Sequence, residues 1–245
     1  MKTSIIQLSE TSSTNSYAVD LLSKTRPDEG IVIVADSQTG GRGMGSNSWE
    51  SEKGENLTIS VILYPAFKAE QQFILNKAIS LAICHFLEHE LPGSEISIKW
   101  PNDIYIGNKK VCGMLIQNSI IVDRFDYVVI GIGLNVNQVV FKSDAPNPVS
   151  LKMITGKHYN LSQLLKKLLS TIFANYALIK PDTIKNIEIQ YHNSLYQLLE
   201  WQDYIVRGTK MQARITGTNT YGQLLLETEE QKELTCDLKE VRFIL

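Results

Sequence analysis

The sequence predicts an α+β chain: a mixed, largely antiparallel sheet with packed helices, followed by a small all-β module. Helical and strand-like apolar periods alternate up to Trp201. Turn signals at Gly107-Asn108 and Asp123-Arg124 separate neighbouring strands by too few residues for a crossover helix, so those strands pair as hairpins. Past Trp201 the helical period disappears and only short strands and turns remain. These changes of texture divide the chain into 1–200 and 201–245.

The elements follow in order. Ser13 or Thr14 caps a helix carrying Tyr17, Ala18, Leu21 and Leu22, and Pro27-Asp28-Glu29-Gly30 ends it. Ile31–Ala35 reads as a buried strand, with a glycine-rich loop after it. Leu57–Leu63 alternates as a strand with one face in the core. A helix over residues 69–91 turns Phe73, Ile74, Leu81, Ala82 and Phe86 inward. Ile96, Ile98 and Trp100 alternate with Glu95, Ser97 and Lys99 in a further strand. Ile104–Ile106 pairs with Lys110–Gln117, and Ile120–Val122 with Tyr127–Ile132. Helices near Leu161–Leu178 and Pro181–Leu199 precede five strands around Tyr204–Arg207, Met211–Thr216, Gln223–Glu227, Glu233–Asp237 and Val241–Ile244.

Hydrophobic residues make up 43% of the chain and charged residues 20%, which supports a packed core. A net charge of −2 supplies no global field for nucleic acid, so any phosphate recognition has to be local. No apolar run approaches the roughly 18 residues of a membrane span. Met1–Gln7 lacks the apolar core of a signal peptide, so a cytoplasmic protein without a membrane partner is expected. The cysteines Cys84, Cys112 and Cys236 are odd in number and widely spaced, which predicts free, buried thiols.

Three stretches can carry chemistry. In Gly40-Gly41-Arg42-Gly43-Met44-Gly45-Ser46 the glycines let the backbone approach a ligand, and Arg42 can grip phosphate through two hydrogen bonds; a surface turn explains the glycines equally well. It is not a Walker loop, because no lysine precedes Ser46. Lys99-Trp100-Pro101-Asn102-Asp103, with Lys110 and Gly113 beyond it, gathers two cations, an indole, a carboxylate and a carboxamide around one hairpin. A cation there can offset charge during phosphoryl or adenylyl transfer. Gly131-Ile132-Gly133-Leu134-Asn135 fails as a dinucleotide fingerprint, since Val136 replaces the third glycine. Its glycines serve either ligand approach or packing, and Asn135 can bond a base or ribose. His85-Phe86-Leu87-Glu88-His89 matches a zinc-peptidase pattern, but its helix already serves a core, so no metal site is assigned to it.

Taken together, Ser13-Thr14-Asn15, Gln38 with Gly41-Arg42-Gly43, Trp49, Gly54-x-Asn56-Leu57, Lys99-Trp100-Pro101-Asn102-Asp103, Lys110-x-x-Gly113 and Gly131-x-Gly133-x-Asn135 resemble, in order and spacing, the biotin–protein ligases. The resemblance covers nearly the whole chain. It implies a class II aminoacyl-tRNA synthetase-like, lipoate–biotin ligase fold with a barrel-like C-terminal domain. It also implies a two-step reaction: biotin and Mg-ATP give biotinyl-5′-adenylate, and a lysine of a biotin carboxyl carrier domain then takes the acyl group. Carried over, Lys110 and Arg42 would be catalytic, Lys110 touching the biotin carboxylate and the α-phosphate. Ser13, Thr14, Asn15, Gln38, Gly41, Arg42, Gly43, Met44, Trp49, Asn56, Lys110, Gly113 and Asn135 would form the biotin and adenylate pocket, and no protein metal ligand is implied. Trp49 would support a wall facing adenine, and the loop from Gly40 to Asn47 would close over the intermediate.

Two departures accompany the resemblance. Many family members carry a second arginine where this chain has Met44. Some carry an N-terminal helix-turn-helix domain, for which the stretch ahead of Ser13 is too short, so no DNA binding is expected. The alternatives are a lipoate or octanoate ligase or transferase of related fold, and a non-catalytic biotin sensor. The first would show an Arg-Arg…Gly-Gly-Gly…His stretch, which does not occur here; the second would lose Lys110 or Arg42, and both are present.

Overall fold

The computed structural model describes residues 4–45, 47–143 and 147–244; Ser46 of the glycine-rich loop lies outside the described residues. The first elements are β1 (Ile5–Leu8), α1 (Thr14–Lys24), β2 (Val32–Ala35) and β3 (Leu57–Leu63). A 3₁₀ turn at Ala69–Gln71 leads into α2 (Gln72–Glu90). Then come β4 (Ile96–Lys99), β5 (Asp103–Ile106), β6 (Lys109–Ile121) and β7 (Arg124–Leu134). The helices α3 (Leu151–Thr155), α4 (Leu161–Ala177) and α5 (Ile184–Asn193) follow. The chain ends with β8 (Trp201–Val206), β9 (Thr209–Thr218), β10 (Leu224–Thr228), β11 (Glu233–Cys236) and β12 (Val241–Phe243).

Packing groups these elements into two compact units, one running through Ala69 and including Lys109–Phe173, the other Glu70–Asn108 with Ala174–Leu245. In the first unit the strand order is β1-β2-β3-β7-β6. Only β1 and β2 are parallel; β2–β3, β3–β7 and β6–β7 are antiparallel. Register places Ile62, Ser60 and Thr58 of β3 beside Val129, Gly131 and Gly133 of β7. Gln117, Leu115 and Gly113 of β6 continue the same rows. Because side chains alternate across a strand, these residues share one face. Helix α1 covers one end of it, with Ala18 clustered against Ile33, Ile62 and Val129. The glycines occupy the other end.

The α+β class and the largely antiparallel pairing match the expectation, and several details differ from it. Strand β3 is buried on both faces rather than one. Its polar residues pair internally: the Thr58 hydroxyl donates to Ala35 O at 2.6 Å, and Ser60 bonds the start of α1. Ser13 does sit at the N-cap of α1 in extended conformation, but its side chain makes no capping bond. Ile120 and Ile121 belong to the end of β6, not to a separate strand, and the hairpin turns at Val122-Asp123, one residue earlier than expected. A register shift after Ser119 absorbs the difference. Helix α5 stops at Asn193, because the following backbone pairs with β4: Ile98 N donates to Ser194 O at 2.7 Å and Tyr196 N to Ile98 O at 2.9 Å. The short β1 and α3 carry too little periodicity to be read from sequence.

In the second unit β4 and β5 form an antiparallel pair, and α2 packs against it and against α5. Strands β8–β12 form a five-stranded antiparallel sheet of order β11-β10-β9-β8-β12. Lys99 lies over the Tyr105 and Phe243 rings, 5.4 and 4.6 Å from their centroids, and the buried Trp100 donates from Nε1 to Gly222 O at 2.8 Å. Both therefore serve this unit's own packing. The three cysteines are free and buried, as expected. His85 and His89 are exposed on α2, and among the described residues no cluster of three metal-ligating side chains occurs. No helix of the described residues is long and apolar enough to cross a membrane.

One side chain of this unit gives a stability prediction. His192 is held below the ordinary value of 6.5 by burial and by the Lys77 charge, against an opposing pull from Glu188. The unfolded chain takes up a proton near pH 6.5 that the folded chain resists, so folding loses free energy as pH falls from about 6.5 through the lower folded value. The thermal midpoint is expected to drop across that window, and less steeply in His192→Asn. Identical midpoint-versus-pH curves for the two chains would contradict this.

Candidate functional site

The polar group at the start of α1 is built from three elements. Thr14 N–H donates to Gln38 Oε1 at 2.8 Å, and the Thr14 hydroxyl lies 3.2 Å from the same oxygen. Ser60 Oγ lies 2.7 Å from Thr14 Oγ1 and 2.6 Å from Asn15 Oδ1. The Thr14 hydroxyl donates to Gln38 Oε1, and the single Ser60 proton is shared between Thr14 Oγ1 and Asn15 Oδ1. Asn15 Nδ2 in turn donates to Leu115 O at 3.1 Å and Gln117 Oε1 at 3.0 Å. Asn15 thus pins α1 to β3 and β6, and it does so in the space over Gly131, where a Cβ would collide with its amide.

Trp49 lies farther along the same sheet face. A Cβ on Gly133 would run into the indole ring, and one on Gly113 would sit 3.0 Å from Trp49 Cζ3 and 3.3 Å from Lys110 Nζ. Lys110 Nζ is itself 5.6 Å from the ring centroid. The Lys110 backbone is fixed by Lys110 N to Asn147 O and Val149 N to Lys110 O, both 2.9 Å. Glycines at 113 and 133 therefore make a flat floor that admits an aromatic ring beside a cation. Two buried polar atoms here have no hydrogen-bond partner among the described residues, Trp49 Nε1 and Asn135 Oδ1. Each costs about 1–3 kcal/mol when unmet. Asn135 Nδ2 is committed to Val149 O at 3.1 Å.

The glycine-rich loop is a small hairpin. Arg42 and Ser48 form an antiparallel bridge, Gly43 N donates to Asn47 O at 2.8 Å and Trp49 N to Gly41 O at 3.0 Å. Arg42 is exposed on it, and Gly43 and Met44 are partly buried. At Gly41 a Cβ would strike the Trp49 carbonyl, which accounts for that glycine by close approach.

Asn56, nominated for the pocket, is placed behind it. Asn56 Oδ1 accepts from Val136 N at 2.9 Å, and Nδ2 donates to Gln138 Oε1 at 2.6 Å and Ser51 Oγ at 3.2 Å. Its amide is engaged by the backbone next to Asn135 and by the Gln138 and Ser51 side chains. The structure thus gathers Thr14, Asn15 and Gln38 at one end of the face, and Trp49, Lys110 and Gly113 at the other. Ser13 is buried beside Thr14 with its carbonyl committed to α1. Sequence reading missed Ser60, Gln117, Glu50 and Gln138. Polar positions within the apolar strand Leu57–Leu63 were the available signal for Ser60; the other three gave none. A cleft of about 340 Å³ lined by Glu52, Lys53, Glu55, Asn137, Gln138, Val139 and Lys152 contains none of the nominated residues.

Comparison with known proteins fits this geometry. The model of the biotin/lipoate A/B protein ligase family matches residues 8–135, which takes in the α1 group, the loop, the glycine floor and Asn135. The chain belongs to the biotin/lipoate A/B protein ligase family. Among family relatives, the bifunctional ligase/repressor BirA of Bacillus subtilis is 32% identical over 234 residues, covering 89% of this chain and 68% of that one. A biotin–[acetyl-CoA-carboxylase] ligase of Mycobacterium tuberculosis is 25% identical and covers 95% and 84%. The structure of the Aquifex aeolicus biotin protein ligase in complex with biotin and ATP superposes with a TM-score of 0.79 at 29% identity, over 98% of both chains.

Proposed function

We propose that this chain is a biotin–protein ligase that activates biotin with ATP and transfers it to a lysine of a biotin carboxyl carrier domain. The observation that carries the reading is the conjunction of Lys110, Trp49 and the Gly113–Gly133 floor on one sheet face, with the Thr14–Gln38 pair at the other end. An apolar bicyclic acid needs a flat floor and a few amide-directed polar groups; its carboxylate and a nucleotide phosphate need a cation between them. In the first step a biotin carboxylate oxygen bonds to the α-phosphorus of ATP, the bond to the bridging oxygen breaks, and pyrophosphate leaves. In the second the carrier amine bonds to the acyl carbon, AMP leaves with the C–O electron pair, and the amine gives up a proton.

In this reading Lys110 holds the carboxylate and the α-phosphate together, and Arg42 closes with the loop onto the phosphate. Gln38 and Thr14 orient the ureido ring, and Asn135 with its open Oδ1 faces the nucleotide. Mg²⁺ would come with ATP, whose phosphates supply oxygen donors of the kind it takes. The 1–200 segment would carry the chemistry, and the 201–245 module is assigned no step. Biotin-dependent exchange of pyrophosphate into ATP, run beside lipoate, tests the reading; exchange with lipoate alone would favour the lipoate alternative.

Met44 adds a consequence. It replaces a charge that would hold the adenylate, so the intermediate is expected to escape faster from this chain than from Met44→Arg. Release of labelled biotinyl-adenylate measured on both would show it, and equal half-lives would refute it.

A further inference from the structure

We propose that Glu50 is a positioning residue: its carboxylate staples the Trp49 segment to the loop after β7 and so sets where the indole lies over the glycine floor. This deepens the ligase reading and takes its substrates from it. Glu50 directly follows Trp49. Its Oε1 accepts from Lys142 N at 2.8 Å and Gln138 Nε2 at 3.2 Å, and its Oε2 accepts from Ser143 N at 2.7 Å and Lys142 N at 3.1 Å. Burial would raise the carboxyl's pKa, but bonds from the Ser143 hydroxyl, the two backbone N–H groups and Gln138 outweigh it and hold the group below 4.5. A carboxylate met by this many donors stays charged and fixed.

The other side of the staple is anchored in the interior. Gln138 is 2% exposed, and its Oε1 accepts from Asn56 Nδ2 and from Glu52 N at 2.9 Å. Its Nε2 also donates to Val140 O at 2.9 Å, which ties the receiving loop to the same amide. Trp49 is thus held on both flanks, upstream by its own N–H on Gly41 O and downstream by the Glu50 carboxylate. Its own Nε1 makes no hydrogen bond among the described residues, so the ring takes its place from those flanks, the glycine floor beneath it and the Lys110 side chain beside it.

If Trp49 faces the nucleotide, loosening the staple weakens ATP more than biotin. Glu50→Ala is expected to raise KM for ATP about tenfold, the equivalent of one lost anchoring bond, with KM for biotin changed less than about twofold. The deciding measurement is the cycle with Trp49→Ala: in that background Glu50→Ala adds no further change in KM for ATP, because it acts through the ring. Additive effects, or a fall in kcat with both KM values untouched, would overturn the proposal. Where Glu50→Ala fails to fold, Glu50→Gln runs the same cycle. A readout free of substrate separates this inference from the ligase reading. With 5-fluorotryptophan incorporated, the ¹⁹F resonance missing in Trp49→Phe reports this ring. Glu50→Ala is expected to shift or broaden it alone among the three tryptophans, and an unmoved Trp49 resonance would overturn the staple even in a chain with no ligase activity.

Discussion

Replacing Lys110 by alanine is expected to lower biotin-dependent pyrophosphate exchange by about a hundred- to a thousandfold, the usual cost of removing a preorganised group that meets transition-state charge. The backbone at this position is held by two hydrogen bonds to the 147–149 segment that do not involve the side chain, so the strand survives the change. What is lost is a half-buried cation beside an aromatic ring and a glycine floor, where water screens charge poorly. Both half-reactions place negative charge near the same phosphate, so transfer from chemically supplied adenylate is expected to fall as well. Lys110→Met keeps the apolar stem that packs against Trp49 and discards only the charge. Equal losses in the alanine and methionine variants would assign the effect to the ammonium; a methionine variant with most of the activity would leave Lys110 a packing role and defeat the assignment.

The reach of sequence reasoning follows from what each feature depends on. Alternation along Leu57–Leu63 and the length of the apolar stripe in α2 are local, and both elements came out near their expected bounds. The five strands after Trp201 were legible for the same reason. The end of α5 was not, since it is set by bonds to Ile98, a residue far away in the chain. The site divides in the same way. Lys110-x-x-Gly113 and Gly131-x-Gly133 are short spacings, and the structure brings 113 and 133 into one row because the β6–β7 register pairs them directly. Asn56 and Asn15 carried the right residue type for a pocket, yet their amides are spent on internal bonds, which only the folded neighbourhood reveals. The glycines of 131–135 had been open between ligand approach and packing. Side chains of this same chain, Asn15 and Trp49, occupy the space above them.

That occupancy makes Gly133→Val the sharpest steric test of the floor. Valine suits a strand, so the backbone of β7 has no local reason to object. Its side chain would nevertheless enter the Trp49 ring, and the indole must leave or the sheet must part. Overpacking of this kind costs about 1–3 kcal/mol, or roughly 5- to 150-fold when it falls on binding. If the ring yields, the isopropyl group still stands on the floor, so Trp49→Ala in the same chain is not expected to restore biotin affinity. Gly131→Ala offers the contrast. There the new methyl meets an amide locked by Ser60, Leu115 and Gln117, a group that cannot swing away without breaking α1 from the sheet. Its penalty is therefore expected in the thermal midpoint, whereas that of Gly133→Val appears in biotin affinity measured by calorimetry. A Gly133→Val chain that binds biotin as tightly as the parent would mean that the ligand sits elsewhere, and that the glycine at 133 exists only to seat Trp49.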